Sequence, residues 1–222
     1  MTIAHSFIRT GDDNIAIKAG SGGPTAHVSI LDNHLYSGHG MSIGSEIQSG
    51  VSDVLVRDMT LDGTTNGLRI KSDRSRGGIV ENVTFDNVCM RGNKAPLVLD
   101  TGYDRKAKGD LIPDYRSITM RNVEGSGGPL LVRGMDAAHP VKLLLDNVDF
   151  GDDAHWQQSN AQITTGTGGA TPKVAAAIPL PHAASAASAA GSPSPPRPRP
   201  EEKEESAMQK SARMARPFAP LA

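Results

Sequence analysis

The sequence predicts an all-β fold, a parallel β-helix of about six rungs, on three observations. A template of apolar-x-apolar-x-(Asp/Asn)-x-x-apolar recurs along the first 150 residues, with most starts 25–29 residues apart. Each copy is followed by a second short apolar strand, and Gly, Asn, Asp and Ser punctuate the gaps as turns require. No stretch shows a convincing amphipathic helix period. Units of this length cannot bury an apolar face alone, but stacked they share a continuous core. A β-sandwich of hairpins would give no recurring register.

In chain order, MTIAHSFI at 1–8 opens the series with His5 in the polar slot, and NIAIK at 14–18 is its second strand. VSILDNHL at 28–35 pairs with MSIGS at 41–45, and VLVRDMTL at 54–61 with GLRIK at 67–71. VTFDNVCM at 83–90 pairs with PLVLD at 96–100. The next start, ITMRNVEG at 118–125, comes late because DTGYDRKAKGDLIPDY intervenes, which reads as a loop insertion. PLLVR at 129–133 follows it, and LLLDNVDF at 143–150 closes the series.

Composition then splits the chain into a β-helix at 1–153 and an Ala/Pro/Ser-rich tail at 154–222. Residues 1–153 hold 16 Lys+Arg against 20 Asp+Glu, a net of −4, and the remainder holds 7 against 4. Ten of the fifteen prolines lie beyond residue 170. So few large apolar residues cannot offset the ordering entropy, so the tail is expected to be disordered. The single cysteine, Cys89, allows no intrachain disulfide. No apolar run approaches the ~20 residues of a membrane span, and the first residues carry no basic-then-apolar leader. An acidic body poor in aromatics argues against nucleic acid.

Stacking gives the repeat chemical meaning, since equivalent residues of adjacent rungs sit about 4.8 Å apart. Aligning Ile17, Ile43 and Ile70 as one core column puts Asp13, His39 and Asn66 in register before the second strands. Ala16, Ser42 and Arg69 form an outward column, and Lys18, Gly44 and Lys71 the next. GDD alone fits an Asx turn, but close carboxylates also raise one another's pKa and so offer an acid beside a base. His39, between two glycines, is either a turn histidine or a group that tunes the carboxylates. Arg69 and Lys71 alternate with Leu68 and Ile70, point outward, and suit an anionic ligand such as a sugar acid. They would repel calcium from Asp12 and Asp13, so no metal is expected. Tyr103 is either loop packing or a platform for a sugar ring.

GDDNIAIK, SGHGMSIGSE and NGLRIKS, in that order and one rung apart, resemble the polygalacturonases of glycoside hydrolase family 28. The likeness runs from residue 1 to about 150. It implies a right-handed parallel β-helix that hydrolyses α-1,4 bonds between galacturonate units of pectin with inversion. Asp12 then resembles the general acid, Asp13 a water-activating carboxylate, and His39 the histidine that tunes the acid. Arg69 and Lys71 resemble the pair that holds galacturonate carboxylates, and Tyr103 a substrate-contacting tyrosine. The resemblance implies no cofactor, a polysaccharide partner, a monomer and an extracellular setting. It also implies a further aspartate in an Asn-x-Asp motif about one rung before the GDD pair. Asp12 has only eleven residues before it, so the chain reads as an N-terminally shortened member.

Three functions follow from these residues. The first is a pectin hydrolase, the second a remnant that binds oligogalacturonate without turnover, and the third a hydrolase of another pectic backbone. Endo versus exo action depends on loops that close the cleft ends, which the motifs do not specify.

Overall fold

The structure is a computed structural model, and it describes residues 1–174. Fifteen strands account for its regular structure: β1 (Thr2–Ala4), β2 (Phe7–Arg9), β3 (Ile15–Ile17), β4 (Thr25–Tyr36) and β5 (Met41–Gly44) lead. β6 (Val51–Asp62), β7 (Asn66–Lys71), β8 (Gly78–Arg91), β9 (Ala95–Asp100) and β10 (Pro113–Glu124) follow. The series ends with β11 (Pro129–Arg133), β12 (Val141–Asp149), β13 (His155–Ser159), β14 (Ala161–Thr165) and β15 (Ala170–Thr171). All pairings are parallel and join strands one rung apart, so the chain coils into a parallel β-helix as the repeat predicts.

The template copies form a first sheet of nine strands in the order β1-β4-β6-β8-β10-β12-β14, with β2 beside β4 and β15 beside β12. The second short strands form another sheet, ordered β3-β5-β7-β9-β11-β13. Apolar side chains at alternate positions of both sheets fill the space between them. On the first sheet Ile30, Val56, Phe85, Met120 and Leu145 stack in one fully buried column. On the second, Ile17 stacks on Ile43, then Ile70, Leu99 and Val132, which is the expected core column carried two rungs further. Burial of such side chains, at about 25 cal/mol per Å² of apolar surface, is what lets thin rungs hold together.

The Asp/Asn slot of the template has a backbone cause. His5, Asp32, Asp58, Asn87, Asn122 and Asn147 all have φ between 51° and 56°. Left-handed backbone costs most L-residues about 1–2 kcal/mol, and Asn and Asp tolerate it best. Each long strand bends there. The side chains also tie rungs together, as where Asn87 donates to Asp58 at 2.7 Å and Asn147 to Asn122 at 2.9 Å.

The body does not stop at residue 153. β13 extends the second sheet beside β11, while β14 and β15 extend the first beside β12. Trp156 packs against the core, and its indole N–H donates to the Pro172 carbonyl at 2.9 Å. The 154–222 boundary is therefore corrected at its start, and the tail expected beyond it falls, from residue 175, outside the described residues. The insertion between β9 and β10 carries no strand, as expected.

Candidate active site

Asp12 and Asp13 precede β3, His39 precedes β5, and Arg69 and Lys71 lie on β7, the third strand of the same sheet. Ala16 pairs with Ser42 and Ser42 with Arg69, while Gly44 pairs with Lys71, which is the expected register. A carboxylate oxygen of each aspartate and a ring nitrogen of His39 lie within 4.8 Å of one another.

Register sets His39 level with Asp13, yet its contacts are with Asp12. The His39 backbone N–H donates to the Asp12 carbonyl at 2.9 Å, and its Nδ1 lies 3.0 Å from Asp12 Oδ1. Glycines flank it because rungs touch there. A Cβ on Gly38 would fall 2.5 Å from the Asp12 carbonyl oxygen, and one on Gly40 would fall 2.2 Å from that of Asn66. Close approach of neighbouring backbone, rather than room for a ligand, explains GHG.

Asp13 is held elsewhere. Ser42 donates its hydroxyl to Asp13 Oδ1 at 2.9 Å and accepts from Arg69 Nε at 3.0 Å. Arg69 Nη2 also reaches Asp13 Oδ1, and Lys71 Nζ donates to Oδ2 at 2.9 Å. The two cations do point away from the core, yet their side chains are only 9% and 7% exposed, because Asp13 covers them. The third expected cation, Lys18, pairs with Glu46 and is drawn off the site. Tyr103 is half exposed, with Lys71 Nζ 5.2 Å from its ring centroid, a cation–π distance.

These contacts set the charges. Repulsion from Asp13 is present at Asp12, but the backbone N–H of Asp13 and the His39 ring outweigh it and hold the Asp12 carboxyl below its ordinary value. Burial pushes the Asp13 carboxyl up. The Lys71 hydrogen bond, the Arg69 charge and the Ser42 hydroxyl together overcome this and leave it below the ordinary value. Burial presses the Lys71 ammonium down, and Arg69 adds to this while Asp13 opposes it. Neither carboxyl is raised, against the expectation from like-charge repulsion alone. Asp12, Asp13 and His39 have the donor types of a cation site. A divalent ion would have to displace Arg69, Lys71 or Ser42 from Asp13, so the donor set suits hydrogen bonding better than metal.

Two supporting residues escaped the motif reading. Ser42 sits between Ala16 and Arg69 in the outward column, so register alone marked its place. Asn14, the last residue of GDDN, is buried; it donates to the Ile8 and Tyr36 carbonyls at 3.2 Å and accepts from Gly40 N–H at 2.9 Å. It pins the GDD and GHG turns together.

Residues 1–177 match the family Glycosyl hydrolases family 28. The chain belongs to this family. It is 45% identical over 165 residues to the endo-polygalacturonase of Pectobacterium carotovorum subsp. carotovorum, a match covering 73% of this chain and 40% of that protein. It is likewise 45% identical over 163 residues to a polygalacturonase of Ralstonia solanacearum, covering 68% and 30%. Among solved structures, the polygalacturonase from Erwinia carotovora ssp. carotovora superposes with a TM-score of 0.70 at 44% identity, covering 73% of this chain and 43% of that one. The hyperthermoactive exopolygalacturonase from Thermotoga maritima gives a TM-score of 0.70 at 26% identity, covering 75% and 40%. The chain thus spans about two fifths of the length of several family 28 proteins it resembles.

Proposed function

We propose that Asp12, Asp13 and His39, with Arg69, Lys71 and Tyr103, form part of the cleft of a polygalacturonase-like glycosidase. Its substrate is polygalacturonate, and the reaction is hydrolysis of the α-1,4 bond. The observation that carries this reading is the opposite setting of two adjacent carboxylates. The Asp12 side chain is 86% exposed and touches an imidazole, whereas Asp13 is 10% exposed and held by two cations. One is placed to exchange a proton with a ligand, and the other is kept as an anion.

The contact between Asp12 and His39 is a hydrogen bond whichever partner holds the proton. A sugar lying over Asp12 strips water from it and pushes its carboxyl up, toward the form that can donate to the glycosidic oxygen. That oxygen leaves with the proton, and water attacks the anomeric carbon, its own proton passing to a carboxylate for which Asp13 is the candidate. Arg69, Lys71 and the Tyr103 ring offer the charge and the flat surface that a galacturonate unit needs. A monomer is the acting unit in this proposal. A wall polysaccharide as substrate places the work outside the cell.

The test is release of reducing ends from polygalacturonate in the presence of a calcium chelator. Asp12→Asn is expected to lower the rate by about 10²–10⁴-fold. Products that carry a 4,5-double bond and appear only with calcium would overturn the hydrolase in favour of a lyase. Inverting pairs usually stand about 6.5–9.5 Å apart, wider than the spacing here, so the anomeric form of the first product is the readout for stereochemistry.

One observation favours a second reading, binding without turnover. Asp13 already accepts from Ser42, Arg69 and Lys71, which makes it a weak base. Calorimetry with trigalacturonate that shows heat of binding and no hydrolysis would select this reading.

A further inference from the structure

The outward side chains at the end of the first sheet form two columns. Phe7, His34, Thr60 and Cys89 stand in one, on β2, β4, β6 and β8, and Arg9, Tyr36, Asp62 and Arg91 stand in the next. The first two rungs present parallel rings. Phe7 stacks with His34 at 4.7 Å between centroids, and the Tyr36 ring lies 6.4 Å from that of Phe7 with the planes 7° apart. The columns then dip at the short Thr60. Tyr36 and Arg91 stand two strand spacings apart, about 10 Å, and a slot of about 190 Å³ lies there, lined by Tyr36, Thr60, Asp62, Cys89 and Arg91. Drug-sized sites span about 300–1,000 Å³, so this slot has room for a single ring.

Its polar groups are fixed in place and keep bonding capacity. Arg91 grips Asp62 through Nε at 3.3 Å and through Nη2. That bond holds the Asp62 carboxyl below its ordinary value and the Arg91 guanidinium above its own, so both stay charged. Each Asp62 oxygen retains a lone pair, and among the described residues Arg91 Nη1 has no protein partner. Thr60 Oγ1, 2.6 Å from His34 Nδ1, ties the floor of the slot to the stacked rings.

We infer that this slot binds a neutral pyranose unit, with its C–H face on the Tyr36 ring and its hydroxyls donating to Asp62 and accepting from Arg91 Nη1. A pyranose combines a flat apolar face with hydroxyls that both donate and accept, which is what an aromatic ring beside an ion pair can satisfy. An aromatic guest would cover the pair without bonding to it, and polar groups left unpaired under a ligand are costly. An acidic sugar meets two charges that already cancel, and Asp62 repels its carboxylate. The slot faces outward from the first sheet, whereas the proposed catalytic residues precede or lie on strands of the second. The inference therefore goes beyond the proposed function and does not depend on it. Neutral and acidic sugar would be held on different faces of one solenoid.

Cys89, exposed at the slot and the only cysteine of the chain, supplies the readout. The experiment measures its rate of alkylation by iodoacetamide in the full chain. The probes are methyl galactoside, methyl glucoside and methyl galacturonoside, the first and last differing only at C6. At least one neutral glycoside is expected to slow alkylation about threefold or more once it exceeds a Kd on the order of 10 mM, while the acidic one leaves the rate unchanged. Tyr36→Ala and Arg91→Gln are each expected to abolish the slowing and to keep the thermal midpoint of the parent. A rate that neither neutral glycoside alters overturns the site. Equal protection by the galacturonoside overturns its preference for neutral sugar, and protection that survives both substitutions places the sugar elsewhere. Each of these results leaves the proposed function standing, since cleavage of polygalacturonate is measured apart from Cys89.

Discussion

Along the first sheet the column Asp32, Asp58, Asn87, Asn122, Asn147 repeats one chemistry from rung to rung. Along the second, the outward column Ala16, Ser42, Arg69, Val98, Leu131 changes it at nearly every step. The first column solves a backbone problem that recurs in every rung, a left-handed bend, so it uses Asp or Asn in every rung after the first, where His5 takes the slot. The second column faces a problem posed once, and its residues differ because each has a different partner. Regularity marks the scaffold in this solenoid, and broken regularity marks the site.

Several substitutions would break or sharpen this contrast. The largest effect is expected at Asp13, where Asn would leave the Arg69 and Lys71 charges buried without their counter-ion. A loss of about 3–5 kcal/mol in urea unfolding is expected, while Asp12→Asn, on the exposed neighbour, should leave the midpoint in place. If both variants unfold like the parent, the two carboxylates do not differ in the way described.

Acid should expose the same asymmetry. The Asp13 carboxyl titrates lower in the folded chain than in the unfolded one, so its contribution is full above the unfolded value of about 4. It is lost as pH falls through the lower folded value. Stability of the parent should therefore decline below about pH 4, and more steeply than that of Asp13→Asn.

Ser42→Ala removes one donor from Asp13 and one acceptor from Arg69, and is expected to cost about 1–3 kcal/mol by denaturant titration. Smallest is the scaffold column. Asn87→Val forces a branched residue into the bend, at about 1–2 kcal/mol, whereas Asn87→Gly should be tolerated there. Equal losses from valine and glycine would mean that side-chain bonds, not backbone geometry, fix the column.

The register was legible because Ile17, Ile43 and Ile70 each lie in the short apolar strand that follows a template copy, and a one-residue slip would turn every apolar side chain outward. From it followed the meeting of Asp12, Asp13, His39, Arg69 and Lys71. From register alone the pairing within that meeting was not legible, although the family resemblance set His39 with the acid, Asp12. Whether His39 reaches Asp12 or Asp13 turns on one backbone hydrogen bond, and whether a carboxyl rises or falls turns on donors that periodicity does not encode. The end of the body was missed for a related reason. HWQQS and AQITT are polar and half exposed on the last rungs, so they lack the alternation by which interior strands announce themselves.

The grip on Asp13 has one last consequence. Arg69 and Lys71 are satisfied before any guest arrives, so an incoming acidic sugar must compete with a resident of the same chemistry. To whatever degree the guest prevails, the resident is released, and an anion relieved of its counter-ions takes up protons more readily. Occupancy and basicity are in this way coupled through two shared cations, with no moving loop required.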